Sequence, residues 1–116
     1  PWLALNESYP VINVKAQFND PDSVYSFYKK MIYLRQQSVY SNTLTFGSFI
    51  PDECENDNLI VYQRSYQGQL IVNVCNFSNQ EQPFICAKEL ILNNYKEYDG
   101  KVLKPYQTIM YLEENK

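Results

Sequence analysis

At 116 residues the chain is the size of one folding unit and long enough to bury a core of its own. Hydrophobic residues at 45% and charged residues at 20% argue against disorder. A net charge of −3, with no basic cluster beyond Lys29-Lys30, lacks the footprint of a phosphate-backbone binder, and no apolar run approaches the roughly 20 residues of a membrane helix, so neither nucleic acid nor a membrane is expected as a partner.

No signal-peptide pattern stands at Pro1, and the missing initiator Met is expected of a chain that begins inside a longer protein or after processing. Pro1 to Asn19 carries two prolines and no sustained period, which reads as an irregular arm, briefly extended at Ile12-Asn13-Val14. Trp2 and Tyr9 on that arm need cover. Asp20-Pro21-Asp22-Ser23 is a helix start: Asp20 suits the cap, Pro21 the first helical position, and Asp22 the positive end of the dipole. The spacing predicts a helix from Pro21 to about Ser38. Its apolar stripe is Val24, Phe27, Tyr28, Met31 and Leu34, at intervals of three and four, with Lys29, Lys30, Tyr33, Gln36 and Gln37 opposite.

From Ser41 the helical period gives way to a strand period, the one internal boundary in the pattern. Thr43 to Ile50 reads as a first strand with Gly47 as a bulge, and Pro51 to Asn58 as an acidic, solvated loop. Asp52, Glu53, Glu55 and Asp57 lack the Gly-centred order of a calcium hand. Asn58 to Ser65 and Gln69 to Asn76 form an antiparallel hairpin turning at Tyr66-Gln67-Gly68-Gln69, and its second strand is apolar on both faces, hence interior. Gln82 to Ala87 with Pro83, Glu89 to Asn93, and Tyr106 to Glu113 after the Asp99-Gly100 turn complete about six to eight short strands. The fold class is mainly β: an antiparallel sandwich preceded by an irregular arm and one amphipathic helix.

Chemistry is mostly excluded. Without histidine there is no Ser-His-Asp or Cys-His nucleophile, and Gly47, Gly68 and Gly100 form no phosphate cradle. Cys54, Cys75 and Cys86 are far apart and have no Cys-x-x-Cys spacing, so no metal and no cofactor are expected; thiols in this arrangement fit a reducing, cytoplasmic setting. Cys75 and Cys86 read as structural thiols. Every candidate carboxylate for glycoside chemistry, from Asp20 and Asp22 through Glu81, Glu89, Glu97 and Asp99 to Glu113-Glu114, sits beside a turn or cap signal. The 11 tyrosines, six phenylalanines and Trp2 are the stuff of half-buried strands, and Trp2 and Tyr9 are the candidate sugar-stacking residues. Asn6-Glu7-Ser8 and Asn76-Phe77-Ser78 match the short glycosylation pattern.

An ordered series of residues runs the length of the chain: Pro1-Trp2-Leu3, Asn6, Tyr9, Ile12-Asn13-Val14, Gln17, Asp20-Pro21-Asp22-Ser23, Tyr28, Ile32 and Leu34-Arg35. Val61-Tyr62-Gln63-Arg64, Leu70-Ile71-Val72, Asn76-Phe77-Ser78, Asn94-Tyr95 and Leu103-Lys104-Pro105-Tyr106 follow. This series resembles the end of the α-amylase-type glycoside hydrolases, in the branch of oligo-1,6-glucosidase, dextran glucosidase and trehalose-6-phosphate hydrolase. The resemblance implies that residues 1–40 are the closing arm and last helix of a catalytic (β/α)-barrel, and residues 41–116 its C-terminal antiparallel β domain. It also implies that the aspartate nucleophile, glutamate acid/base and second aspartate lie on barrel strands absent here, so that no catalytic residue carries over.

The expected function is thus a non-catalytic C-terminal fragment of an α-glucosidase-like enzyme acting on short α-glucosides; a stand-alone carbohydrate-binding or interaction module is the alternative. The expected partner is the protein's own barrel, and the apolar surface left bare should drive self-association. Two departures concern the substrate subgroup: the stretch Gln36 to Phe46 is long and lacks a proline, and Gln107 stands where the family often has glutamate.

Overall fold

A computed structural model describes residues 2–113. Pro1 of the expected arm and Glu114 among the carboxylates considered above lie outside the described residues.

The arm is a succession of turns closed by a short helix, α1 (Val14–Gln17). Asn13 caps α1 by accepting the Ala16 amide at 2.7 Å while its own amide reaches the Tyr9 carbonyl at 2.9 Å. Asn13 thereby starts a helix where a brief extended segment at Ile12-Asn13-Val14 was expected. The main helix, α2 (Val24–Gln36), begins later than the sequence signal implied, because Ser23 rather than Asp20 is the cap. Asp20 is engaged in the turn ahead of it: its carboxylate accepts the Asp22 amide, and its carbonyl accepts both the Ser23 and Ser26 hydroxyls. Pro21 stays in that turn. At the other end Gln37 closes the helix onto the Tyr33 carbonyl, so the helix stops short of Ser38.

The expected strand at Thr43–Ile50 is in its first half a helix, α3 (Ser41–Phe46); only Ser48–Pro51 is strand, β1. Alternating Thr43 and Thr45 favour a strand in isolation. Tertiary contact reverses this: Thr43 is buried and its hydroxyl donates to the Gln69 side chain. Gly47 is the exit from α3, not a bulge. Its amide bonds the Thr43 carbonyl at 3.0 Å, and a Cβ there would lie 2.3 Å from that same oxygen.

β2 (Leu59–Tyr66) and β3 (Gln69–Asn76) form the expected hairpin, in register Tyr66↔Gln69 through Leu59↔Asn76. Gln67 and Gly68 both have positive φ, 46° and 84°, the two-residue turn whose twist matches the strands it joins. β7 (Thr108–Glu113) pairs with β3, and β5 (Leu90–Asn93) pairs with β7 through an irregular register between Leu90 and Leu92. The sheet order β1-β2-β3-β7-β5 puts β3 in the middle, as its two apolar faces require.

β4 (Gln82–Pro83) and β6 (Val102–Leu103) make a second, two-stranded sheet. The expected strand Gln82–Ala87 survives beyond Pro83 as single bonds, from the Phe84 amide to Lys101 and from the Cys86 amide to Gly100. The fold is mainly antiparallel β in two layers, as expected.

Strand alternation divides the large sheet into two faces. Leu59, Val61, Val72, Val74, Ile109 and Tyr111 pack with Leu103 and Cys86 from the small sheet, flanked by Phe84, Leu90 and Tyr98, into one apolar core. Each large aliphatic side chain sealed there contributes roughly 1.5–3 kcal/mol. The other face, carrying Tyr62, Arg64, Ile71, Asn73 and Met110, looks toward α2 and α3. From the expected stripe of α2 only Leu34 is buried there, with Phe27 and Met31 half-buried; Val24 and Tyr28 are exposed.

Candidate functional site

Several of the carboxylates considered above are taken up by structural tasks. Asp22 pairs with Lys96 at 3.0 Å and Glu113 with Lys88 at 3.8 Å. Asp99 accepts the Val102 and Lys101 amides at 2.9 and 2.8 Å, bonds that hold its carboxyl below the ordinary range. Among the described residues no group of three His, Cys, Asp or Glu could hold a metal, and the acidic loop Asp52 to Asp57 is exposed apart from Asn56.

Asn76 of the second glycosylation pattern is fully buried. Its amide nitrogen donates to the Gln80 and Lys104 carbonyls at 2.8 and 2.9 Å, and its oxygen accepts from Ser78. Such a nitrogen is a loop anchor, not a sugar acceptor. Gln107 is also fully buried, donating to the Asn93 side chain and the Glu97 carbonyl while accepting the Lys104 amide. A carboxylate could not make those two donations. The departure from glutamate therefore belongs to how these loops are pinned together. Tyr98 and Tyr111, at the margin and floor of the core, have phenol pKa values pushed up to about 12, by burial first and then by the Cys86 thiol. The Tyr98 hydroxyl donates to the Phe84 carbonyl. Among the described residues all three thiols are free, Cys54 exposed, Cys75 half-buried and Cys86 buried.

The two candidate sugar-stacking residues stand on the open arm, Trp2 92% and Tyr9 56% exposed. They belong to a broad exposed apolar surface over the arm and the outer side of α2, which includes Val11, Phe18, Tyr28 and Ile32. Sequence reasoning missed one further arrangement. Between α2, α3 and the sheet lies a cavity of about 210 Å³ lined by Met31, Arg35, Tyr62, Arg64 and Asn73 among others. The signal was there to find: Asn73 interrupts Leu70-Ile71-Val72 in a strand otherwise apolar on both faces.

The family described as the catalytic domain of α-amylase matches residues 1–43. An oligo-1,6-glucosidase of Halalkalibacterium halodurans is 35% identical across 99% of the chain, and the trehalose-6-phosphate hydrolase of Escherichia coli 30% identical across 97%. The chain is similar to the C-terminal part of the α-amylase-type glycoside hydrolases. The solved isomaltulose synthase of Erwinia rhapontici superimposes on 98% of the chain with a TM-score of 0.84 at 27% identity. In all three comparisons the chain spans only 22% of the longer protein. Its likeness to these hydrolases thus covers the arm, α2 and the β layers together, in the oligo-1,6-glucosidase and trehalose-6-phosphate hydrolase branch.

Proposed function

We propose that this chain is the non-catalytic C-terminal segment of a cytoplasmic, retaining α-glucosidase that acts on short α-glucosides. Residues 1–40 complete a catalytic barrel with their arm and helix, and residues 41–116 form a β domain that covers and stabilises it. The carrying observation is the division of the match: the catalytic-domain family covers residues 1–43, and the strands that follow enclose a core without help from the arm. The exposed apolar surface of the arm and α2 is then the face turned to the barrel, the chain's own partner. Catalysis stays with carboxylates on barrel strands outside this segment, and alone the segment is inert and self-associates through that face.

The test is turnover of p-nitrophenyl α-glucoside and isomaltose by the chain alone and by the chain joined to a catalytic barrel of the family. Activity is expected only in the joined form; saturable turnover by the chain alone overturns the proposal. A second reading, a sugar-binding module, draws on the exposure of Trp2 and Tyr9. Trp2 is the sole tryptophan, so its fluorescence isolates that reading: a saturable change at millimolar isomaltose supports the module.

A further inference from the structure

The cavity under α2 has an electrostatic character that the β domain does not need for its own packing. Tyr62, Asn73 and Met110 lie in one cross-strand row, Tyr62 opposite Asn73 and Asn73 opposite Met110, with Arg64 diagonal to Asn73. Asn73 is 5% exposed, and among the described residues neither its amide nitrogen nor the buried Nε of Arg64 has a hydrogen-bond partner. Both residues line the cavity, and Arg35 adds a second guanidinium from α2. Among the described residues no carboxylate lines it.

Arg64 spends one donor, an Nη, on the Gly47 carbonyl at 2.9 Å. Among the described residues the ion pairs are Lys88 with Glu113 and Lys96 with Asp22, so neither arginine has a counter-charge within 4 Å. A buried donor left unmade costs about 1–3 kcal/mol, more when the group is charged. A guanidinium and an amide that line one cavity with unused buried donors, beside a second guanidinium and with no acid among the described lining residues, suit a planar anion that accepts from both.

We infer that this cavity is a carboxylate-binding site, in which the Arg64 Nε–H and the Asn73 amide donate to one carboxylate and Arg35 supplies further positive charge. Two sources of that group share the chemistry: a free small carboxylate, or the side chain of an acidic residue in the longer polypeptide. The inference does not depend on the proposed function, since the donors and the cavity belong wholly to this chain.

The Arg64 Nε–H resonance reports the site directly. In the chain as it stands, titration with sodium acetate is expected to shift that resonance and the Asn73 amide pair downfield to saturation, while sodium chloride at equal ionic strength does not. Arg64→Lys should weaken acetate binding by about tenfold or more, since the ammonium cannot reproduce the fork. In the chain joined to a family barrel, a resonance already shifted and insensitive to acetate identifies a side chain as the source. One that still titrates identifies a free carboxylate. Equal responses to acetate and chloride, or no saturable response in the unmodified chain, overturns the assignment whether or not the variant folds.

Discussion

The two faces of the five-stranded sheet are built on opposite plans. Toward the small sheet, β2, β3 and β7 present Val61, Val72, Val74 and Ile109 to Leu103 and Cys86, an apolar seam closed by the chain's own residues. Toward the helices the same strands present Tyr62, Arg64 and Asn73, bridged by Leu34 and Thr43, with a cavity between. One face is complete in itself and holds the domain together. The other is mixed, partly open, and continuous with a helix that leaves Val24, Tyr28 and Ile32 exposed. The packed core therefore lies on the first face, and both the proposed barrel contact and the proposed carboxylate site fall on the side of the second.

The sharpest way to break this contrast is to empty the closed face. Ile109, with no exposed surface, sits where both β3 and β5 pair with β7. Ile109→Ala should cost about 2–5 kcal/mol, read as a fall in the urea midpoint at unchanged slope. A loss below about 1 kcal/mol would mean the closed face is not the main source of stability.

A milder challenge to the same face is alkaline. Below pH 10 the Tyr98 and Tyr111 phenols are protonated folded and unfolded alike, and their burial is without penalty. Between pH 10 and about 12 the unfolded phenols ionise while the folded ones hold their protons, so the unfolded state gains and stability falls as pH rises. Urea midpoints at pH 9 and pH 11.5 should differ in that direction, and Tyr111→Phe should reduce the difference.

The smallest effect belongs to the mixed face. Asn73→Leu removes a buried donor that has no partner among the described residues and places apolar atoms beside a cavity, so stability should change by less than about 1 kcal/mol. The same variant should weaken acetate binding. A loss as large as that of Ile109→Ala would erase the distinction between the faces.

What could be read in advance follows this division. The hairpin, its turn and the central place of β3 were legible because Leu70, Ile71, Val72 and Val74 state burial on both sides locally. α3 was not, since Thr43, Thr45 and Phe46 carry strand propensity and only the distant Gln69 makes the buried Thr43 hydroxyl worth holding in a helix. The start of α2 was misread because Asp20 and Ser23 are both good caps, and the Asp20 carboxylate is used on Asp22. Trp2 and Tyr9 are exposed on the arm, whereas the Arg64 and Asn73 pair required the strand register before two residues nine positions apart could be seen as neighbours.

The most direct measurement is hydrogen–deuterium exchange on the chain alone and on the chain joined to a family barrel. The expected result is strong protection of β2, β3 and β7 in both, with new protection in the joined form confined to the arm and α2. Unchanged exchange of the arm and α2 on joining, or β strands that become protected only when joined, would contradict a self-sufficient β domain whose helix side is made to meet a barrel.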